Sequence, residues 1–199
     1  MVTIIDYAIN NLRSVEKAFV SLHIPVEVTD DPVRIQDAEK LVLPGVGAFA
    51  DAMTNLRNKN LIGPIRESVN SGTPLLGLCL GLQLLFSESE EFGHTDGFHF
   101  IPGKVKRLPD RLLVPHIGWN QLHLQRSDPL LDGIREDSFV YFVHSYYAEP
   151  EDRGDVLATT DYDIEFASVA RRGNVWATQF HPEKSQEVGL RMLKNFAVM

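Results

Sequence analysis

The sequence predicts an α/β fold: a central, mostly parallel sheet flanked by helices, with an antiparallel strand extension in the second half. Three observations carry that expectation. Short apolar runs alternate with stretches of helical spacing through the first ninety residues, strand-like runs dominate from Lys104 to Gln179, and a single amphipathic stretch closes the chain. Val2 to Ile5 is apolar and too short for a helix, and Leu12, Val15, Phe19 and Leu22 then recur at helical spacing, which makes a βα unit. Val26-Glu27-Val28 and Leu41-Val42-Leu43 are two further short strands ending in turn residues. Helical pattern returns between Asp51 and Ser71, with an expected break at Gly63-Pro64, and Pro74 to Leu78 reads as a central strand. In the second half, Phe139 to Val143, Val156 to Ala158, Ser168 to Ala170 and Val175 to Ala177 read as strands, the last two joined by the hairpin signal Arg172-Gly173-Asn174. From Ser185 onward an N-cap serine, Glu187 in the first turn and Leu190, Leu193 and Ala197 on one face predict a final helix carrying Lys194 near its end. No repeat, low-complexity stretch or linker interrupts the chain, so one domain over residues 1–199 is expected.

Composition narrows the function classes. Charged residues make up 23% and hydrophobic ones 44%, which suits a folded globular chain rather than a disordered one. A formal net charge of −8 at pH 7 argues against a nucleic-acid or anionic-membrane surface, because phosphate binding needs clustered Lys and Arg. The short basic pairs at Lys104/Lys106-Arg107 and Arg171-Arg172 read as solvated strand ends. No run approaches the ~20 apolar residues of a membrane span. The start, Met1-Val2-Thr3-Ile4-Ile5-Asp6, enters a strand directly without the basic segment and apolar core of a signal peptide. A cytoplasmic, reducing setting is the expectation, in which a free thiol survives.

Cys79 is the one cysteine, so it is either inert packing or chemistry. It stands in Gly77-Leu78-Cys79-Leu80-Gly81, between a strand and a helix-like segment. Small residues two before and two after a residue thrust out on a tight strand-to-helix turn leave room where neighbouring Cβ atoms would collide. A helix starting there would also favour thiolate over thiol. The second constellation is Gln179-Phe180-His181-Pro182-Glu183 at a strand end. Residues 181 and 183 point the same way in extended backbone, so a carboxylate reaches the imidazole and fixes its tautomer, the arrangement that a cysteine nucleophile in acyl transfer requires. The bland alternative is a strand-capping histidine and a surface acid. Third, Leu43-Pro44-Gly45-Val46-Gly47 ends a strand in a glycine-flanked loop whose amides could turn toward a neighbouring site. His116, Trp119 and His144 read as framework rather than chemistry, and their spacing with His181 suggests no metal site.

Gly77-Leu78-Cys79-Leu80-Gly81-Leu82-Gln83 with the distant His181-Pro182-Glu183 resembles the class I glutamine amidotransferases, whose sheet is flavodoxin-like. Pro44-Gly45-Val46-Gly47-Ala48-Phe49, Pro115-His116-Ile117-Gly118-Trp119-Asn120, Tyr141-Phe142-Val143-His144-Ser145-Tyr146-Tyr147 and His181-Pro182-Glu183-Lys184-Ser185 are similar, within that family, to the glutaminase subunits of imidazole glycerol phosphate synthase. The likeness runs the whole chain. One departure stands near the start, where the family's glycine-rich Asp-Tyr-Gly-x-Gly-Asn-Leu becomes Asp6-Tyr7-Ala8-Ile9-Asn10-Asn11-Leu12.

The resemblance implies glutamine hydrolysis with no cofactor and no metal. It makes Cys79 the nucleophile, His181 the base and acid, and Glu183 the group that orients His181. It places the oxyanion between the amides of Leu80 and, after a peptide rearrangement, Val46. It assigns glutamine binding to Gly47, Gln83, Glu91 and Ser145, although Gln83 also reads as an exposed helix position and Glu91 as part of a solvated acidic cluster. It further implies a heterodimer with a cyclase subunit that receives the ammonia, with Asn10, Asn11 and Lys184 at the interface. Three other readings stay open: the same fold serving a vitamin B6 or surface-polysaccharide synthase, a non-catalytic glutamine-binding regulatory subunit, and an independent cysteine hydrolase.

Overall fold

A computed structural model describes residues 1–8 and 11–199, so Asn10 lies outside the described residues. The first half lays down β1 (Val2–Ile5), α1 (Leu12–Ser21), β2 (Val26–Thr29), α2 (Pro32–Gln36), β3 (Leu41–Gly45), α3 (Phe49–Asn58), α4 (Ile62–Asn70), β4 (Leu75–Cys79) and α5 (Leu80–Leu84). The second adds β5 (Glu88–Ser89), β6 (Thr95–Asp96), β7 (Gly103–Arg107), β8 (His116–Gln121), β9 (His123–Leu124), β10 (Phe139–His144), β11 (Tyr146–Pro150), β12 (Val156–Asp161), β13 (Glu165–Arg172), β14 (Val175–Thr178) and α6 (Gln186–Val198).

The main sheet has the order β2-β1-β3-β4-β14-β13-β12-β9. Its first five strands are parallel and the last three antiparallel, as the alternation of strand and helix followed by hairpin signals predicts. The parallel part has the doubly wound order of flavodoxin-like sheets, in which ligands sit beyond the carboxyl ends of the strands. β1, β3, β4 and β14 read as mostly apolar runs because both of their faces are covered, while the edge strand β2, with Glu27 in its middle, is only half-buried. Leu41, Leu43, Leu75 and Val175 face one core, with α3 and α4, while Val42, Leu76, Leu78 and Trp176 face the other, with α1 and α6.

Four expectations need correction. The helix break falls at residues 59–61 rather than at Gly63-Pro64, because Pro64 occupies the first turn of α4, where its missing N–H removes no intrahelical bond. The strand over Phe139 to Val143 does not join the main sheet. It pairs with β8 as a separate ribbon whose alternate residues Val140, Phe142 and His144 are buried. Ser185 stands at the start of α6 without capping it; its Oγ donates instead to the His181 carbonyl at 2.7 Å and accepts from the Tyr141 amide at 2.9 Å. The basic strand ends are paired rather than merely solvated. Arg171 lies on buried Asp128 and over the Trp176 ring, and Arg172 pairs with Asp155.

Candidate active site

Strand register builds the site. Gly45 at the end of β3 is the neighbour of Cys79 at the end of β4, and Thr178 is the neighbour of Leu78. The loop after β3, the elbow after β4 and the segment after β14 therefore meet at one edge of the sheet. Cys79 has φ 55° and ψ −107°, a conformation side chains rarely adopt, which the surrounding packing must hold in place. The flanking glycines are required by close approach. A Cβ on Gly77 would lie 2.7 Å from the Gly81 carbonyl oxygen, and one on Gly81 would lie 1.8 Å from that of Leu43. Helix α5 spans only five residues, so its dipole is smaller than a full helix would offer, and the local N–H groups of its first turn matter more.

Val46, Gly47, Cys79, Leu80, Gln83, Glu91, Ser145 and His181, each expected from the sequence, line one cavity of about 310 Å³ together with Pro115, Val143, His144 and Tyr146. A larger groove of about 660 Å³ lies elsewhere, between the Gly133 turn and α6, but its lining offers no thiol or imidazole. The chemistry selects the smaller one. Gly47 needs its left-handed φ of 99°, which leaves its loop open to solvent with nothing packed where a Cβ would stand.

His181 Nδ1 lies 2.9 Å from Glu183 Oε1, both side chains buried. The carboxylate sits behind the imidazole, away from the cavity. Nε2 of His181 makes no hydrogen bond among the described residues, yet it is near enough to Cys79 for the sulfur to act on its charge. Burial opposes protonation of His181, but Cys79 and Glu183 outweigh it and push its pKa up to about 10. An imidazole that feels the sulfur without aligned contact is usual in an empty site, where such bonds tighten on binding. The thiol donates to the Val143 carbonyl at 3.7 Å, and Gln179 Nε2 approaches Sγ at 4.0 Å. The arrangement can form and resolve a thioester: a nucleophile, an oriented base, and free first-turn amides at Leu80 beside them.

The four residues expected to bind glutamine, Gly47, Gln83, Glu91 and Ser145, all line this cavity. Gln83 is not an exposed helix position but buried, its Nε2 donating to the Tyr146 carbonyl at 2.9 Å and to Gln179 Oε1 at 3.2 Å. Glu91 leaves the acidic cluster to accept from the Phe49 amide at the start of α3. Burial raises its pKa, the Phe49 bond opposes this, and Asp51 adds to it. Asn11, expected at a partner surface, donates Nδ2–H to Glu183 Oε1 at 3.2 Å. Lys184 is exposed, as a docking residue must be. Trp119 is 46% exposed and packs edge-on against Tyr141 in the β8–β10 ribbon, whereas His116 and His144 are buried.

Sequence reasoning missed three supports. Gln179 is fully buried beside the sulfur, a placement its position one residue past the Thr178–Leu78 pairing could have signalled. Tyr7 is buried with its hydroxyl donating to the Pro44 carbonyl at 2.7 Å, anchoring the strand that feeds the Val46 loop; burial and nearby Cys79 hold that hydroxyl well above the ordinary tyrosine range. Ser185 ties the His181 carbonyl to β10.

The model of the family described as glutamine amidotransferase class-I matches residues 3–199. The chain belongs to the class I glutamine amidotransferases. Among this family's curated members it is 54% identical over 206 residues to imidazole glycerol phosphate synthase subunit HisH of Syntrophotalea carbinolica, covering 100% of both chains. It is 55% identical over 195 residues to the same-named subunit of Moorella thermoacetica, covering 98% of this chain and 93% of that one. A crystal structure of a glutamine amidotransferase shares its fold with TM-score 0.79 at 20% identity, covering 100% of both chains. The glutaminase domain of Trypanosoma brucei CTPS with bound acivicin shares it at 0.62 and 15% identity, covering 99% of this chain and 93% of that one. The fold expected of a class I glutamine amidotransferase is thus the fold observed.

Proposed function

We propose that residues 1–199 work as one unit, the glutaminase subunit of an imidazole glycerol phosphate synthase, hydrolysing glutamine through a Cys79 thioester and passing ammonia to a cyclase subunit. The observation that carries this is the meeting in one cavity of Cys79, on its strained elbow, with His181, whose buried partner Glu183 stands behind it. Class I amidotransferase membership and about half-identity to subunits of that synthase supply the reaction class and the acceptor pathway.

Cys79 thiolate attacks the side-chain amide carbon of glutamine, and the oxyanion is held by the amides of Leu80 and, once its peptide turns, Val46. His181 gives its Nε2 proton to the leaving ammonia, then takes one from the water that cleaves the thioester to glutamate. Glu183 holds the imidazole in one tautomer throughout. Gly47, Gln83, Glu91 and Ser145 hold the glutamine. Gln83 does so from a fixed rotamer, since its amide nitrogen is committed to Tyr146 and Gln179. No cofactor or metal enters this scheme.

The docking face is the β8–β10 ribbon with Lys184 beside it, where Ile117, Trp119 and Phe139 are exposed at 59%, 46% and 53%. An apolar, aromatic strip of this kind on a chain of net charge −8 fits a protein partner rather than nucleic acid. Asn11 joins this face through its contact with Glu183, beside Lys184, and Asn10, assigned to the same interface by the resemblance, lies outside the described residues. No helix among the described residues is long and apolar enough to cross a membrane, and the free thiol fits a cytoplasmic setting. Glutaminase activity measured with and without the cyclase subunit and its nucleotide ligand tests the reading. Low activity alone and strong stimulation of kcat by the liganded partner support it, while full turnover without the partner favours an independent hydrolase.

A further inference from the structure

His116 and His144, which the scheme above does not use, form a buried chain that ends at the wall of the cavity. His144 Nδ1 lies 2.9 Å from the Tyr146 carbonyl oxygen, His144 Nε2 lies 3.0 Å from His116 Nδ1, and His116 Nε2 lies 3.4 Å from Asn120 Nδ2. A carbonyl oxygen only accepts, so His144 Nδ1 carries the hydrogen. In a neutral ring His144 Nε2 is then an acceptor, which obliges His116 Nδ1 to donate. His116 Nε2 is left as an acceptor, and Asn120 Nδ2, a donor, stands opposite it. All three contacts are satisfied by one assignment, in which both imidazoles are Nδ1–H tautomers. Burial favours the neutral rings: it lowers His116 to about 4 and His144 to about 3, the latter with smaller contributions from His116 and His181 against an opposing one from the Tyr146 carbonyl.

The chain has consequences for the cavity because of what it holds. Tyr146 O receives His144 Nδ1–H and Gln83 Nε2–H, so both of its lone pairs are occupied. The peptide run Val143 to Tyr146, where β10 leaves its ribbon and β11 begins, lines the cavity and carries the Val143 carbonyl against Cys79 and Ser145 on the wall. Ring stacking of His116 with Phe142 and Tyr162, at centroid separations of 5.0 and 4.0 Å, fixes the outer end.

We infer that His116 and His144 are positioning residues for glutamine: a directional hydrogen-bond chain from Asn120 to Tyr146 that sets the wall around Ser145. The inference rests on the glutaminase reading for its substrate, but its first test does not. Long-range ¹⁵N–¹H NMR of histidine-labelled protein at neutral pH, free of ligand, is expected to show both rings as neutral Nδ1–H tautomers. An Nε2–H form or an imidazolium for either ring overturns the inference. The second test is kinetic, in complex with the cyclase subunit. His116→Phe keeps the stack and removes the donor, leaving His144 Nε2 buried and unpaired, for which a rise in KM for glutamine of about tenfold is expected. kcat should stay within about threefold, since a group acting through the wall touches no reacting atom. His116→Asn, whose amide replaces the Nδ1 donor, should return KM to within about threefold of wild type. An unchanged KM in His116→Phe with only a lowered melting temperature overturns the positioning role. Absence of any glutaminase activity in the wild-type complex would fail the functional reading, and the tautomers would still decide the chain.

Discussion

Replacing Gly81 by alanine perturbs the elbow without touching any group of the candidate chemistry. The added Cβ would sit 1.8 Å from the Leu43 carbonyl oxygen and 2.9 Å from its carbon, both backbone atoms of β3. Relief to an ordinary carbon–oxygen contact of about 3.3 Å parts the elbow from β3 by about 1.5 Å. Backbone cannot rotate away as a side chain would. Val46 follows β3 and Leu80 opens α5, so the two amides of the proposed oxyanion site lie on the parts that separate. Misplacement by about 1 Å costs on the order of a hundredfold, and one lost oxyanion donor costs about 10²–10³ in kcat. Gly81→Ala should therefore lower glutaminase kcat/KM at least about a hundredfold in complex with the cyclase, with about 1–3 kcal/mol lost in unfolding free energy. Gly63→Ala is the control: it lies in the first turn of α4 with nothing within 4 Å of its Cβ, so alanine there should be neutral or stabilising by up to about 1 kcal/mol. A folded Gly81→Ala protein with kcat/KM within threefold of wild type would refute the argument that elbow and β3 are held in register by that contact.

Cys79→Ala should abolish glutamine hydrolysis while sparing synthesis by the cyclase from free ammonium; activity within tenfold of wild type would remove Cys79 from the mechanism. Asn11→Ala deletes one donor to Glu183 Oε1, so kcat of the free chain, assayed without partner, should fall about tenfold; a loss seen only in partner affinity would return Asn11 to a docking role alone. Val46→Pro removes an N–H and should suppress partner-stimulated turnover by about 10²-fold while changing KM little, whereas equal effects on basal and stimulated rates would argue against a peptide rotation. His181, raised to about 10 by Cys79 and Glu183 against its burial, should titrate by NMR far above the ordinary value near 6.5. Because the folded pKa is the higher one, its contribution to stability is complete below about pH 6.5 and declines as pH rises toward 10. A midpoint at or below 6.5 contradicts this, and Cys79→Ala should lower the midpoint.

The parallel half of the sheet is legible because its inner strands β1, β3, β4 and β14 are buried on both faces and written as mostly apolar runs, and because the elbow glycines answer to one steric rule. Cys79, His181 and Glu183 could be placed together from two short motifs, since register across β3, β4 and β14 turns three distant strand ends into neighbours. The β8–β10 ribbon could not be assigned to its own sheet, because alternation specifies which face is buried and not which strand is the partner. Gln83 and Glu91 misled local reasoning for a related reason. An exposed position on a helix and a solvated acid in a cluster are what their neighbours in sequence suggest, but Tyr146, Gln179 and Phe49, each more than forty residues away, decide where the two side chains go.

The supports that sequence reading missed share a physical logic. Tyr7, Gln179 and Ser185 each make a contact with a group of the site or with its backbone, and none is itself a reactive group. Ser185 shows how such contacts would join the proposed docking face to the proposed chemistry. Its hydroxyl donates to the carbonyl of His181 and accepts from the amide of Tyr141, while the His181 amide donates to the Tyr141 carbonyl at 3.0 Å. The base is thereby fastened at both ends of its peptide unit to β10, whose other residues include exposed Phe139 and, through β8, Trp119. A partner seated on that ribbon presses on the element that carries His181 on one side and the Val143–Tyr146 wall on the other. Displacement of the ribbon by a fraction of an ångström would change the distance from Nε2 to the sulfur and the shape of the proposed glutamine pocket together, which is why stimulation by a partner should be read in kcat and KM separately rather than in one rate alone.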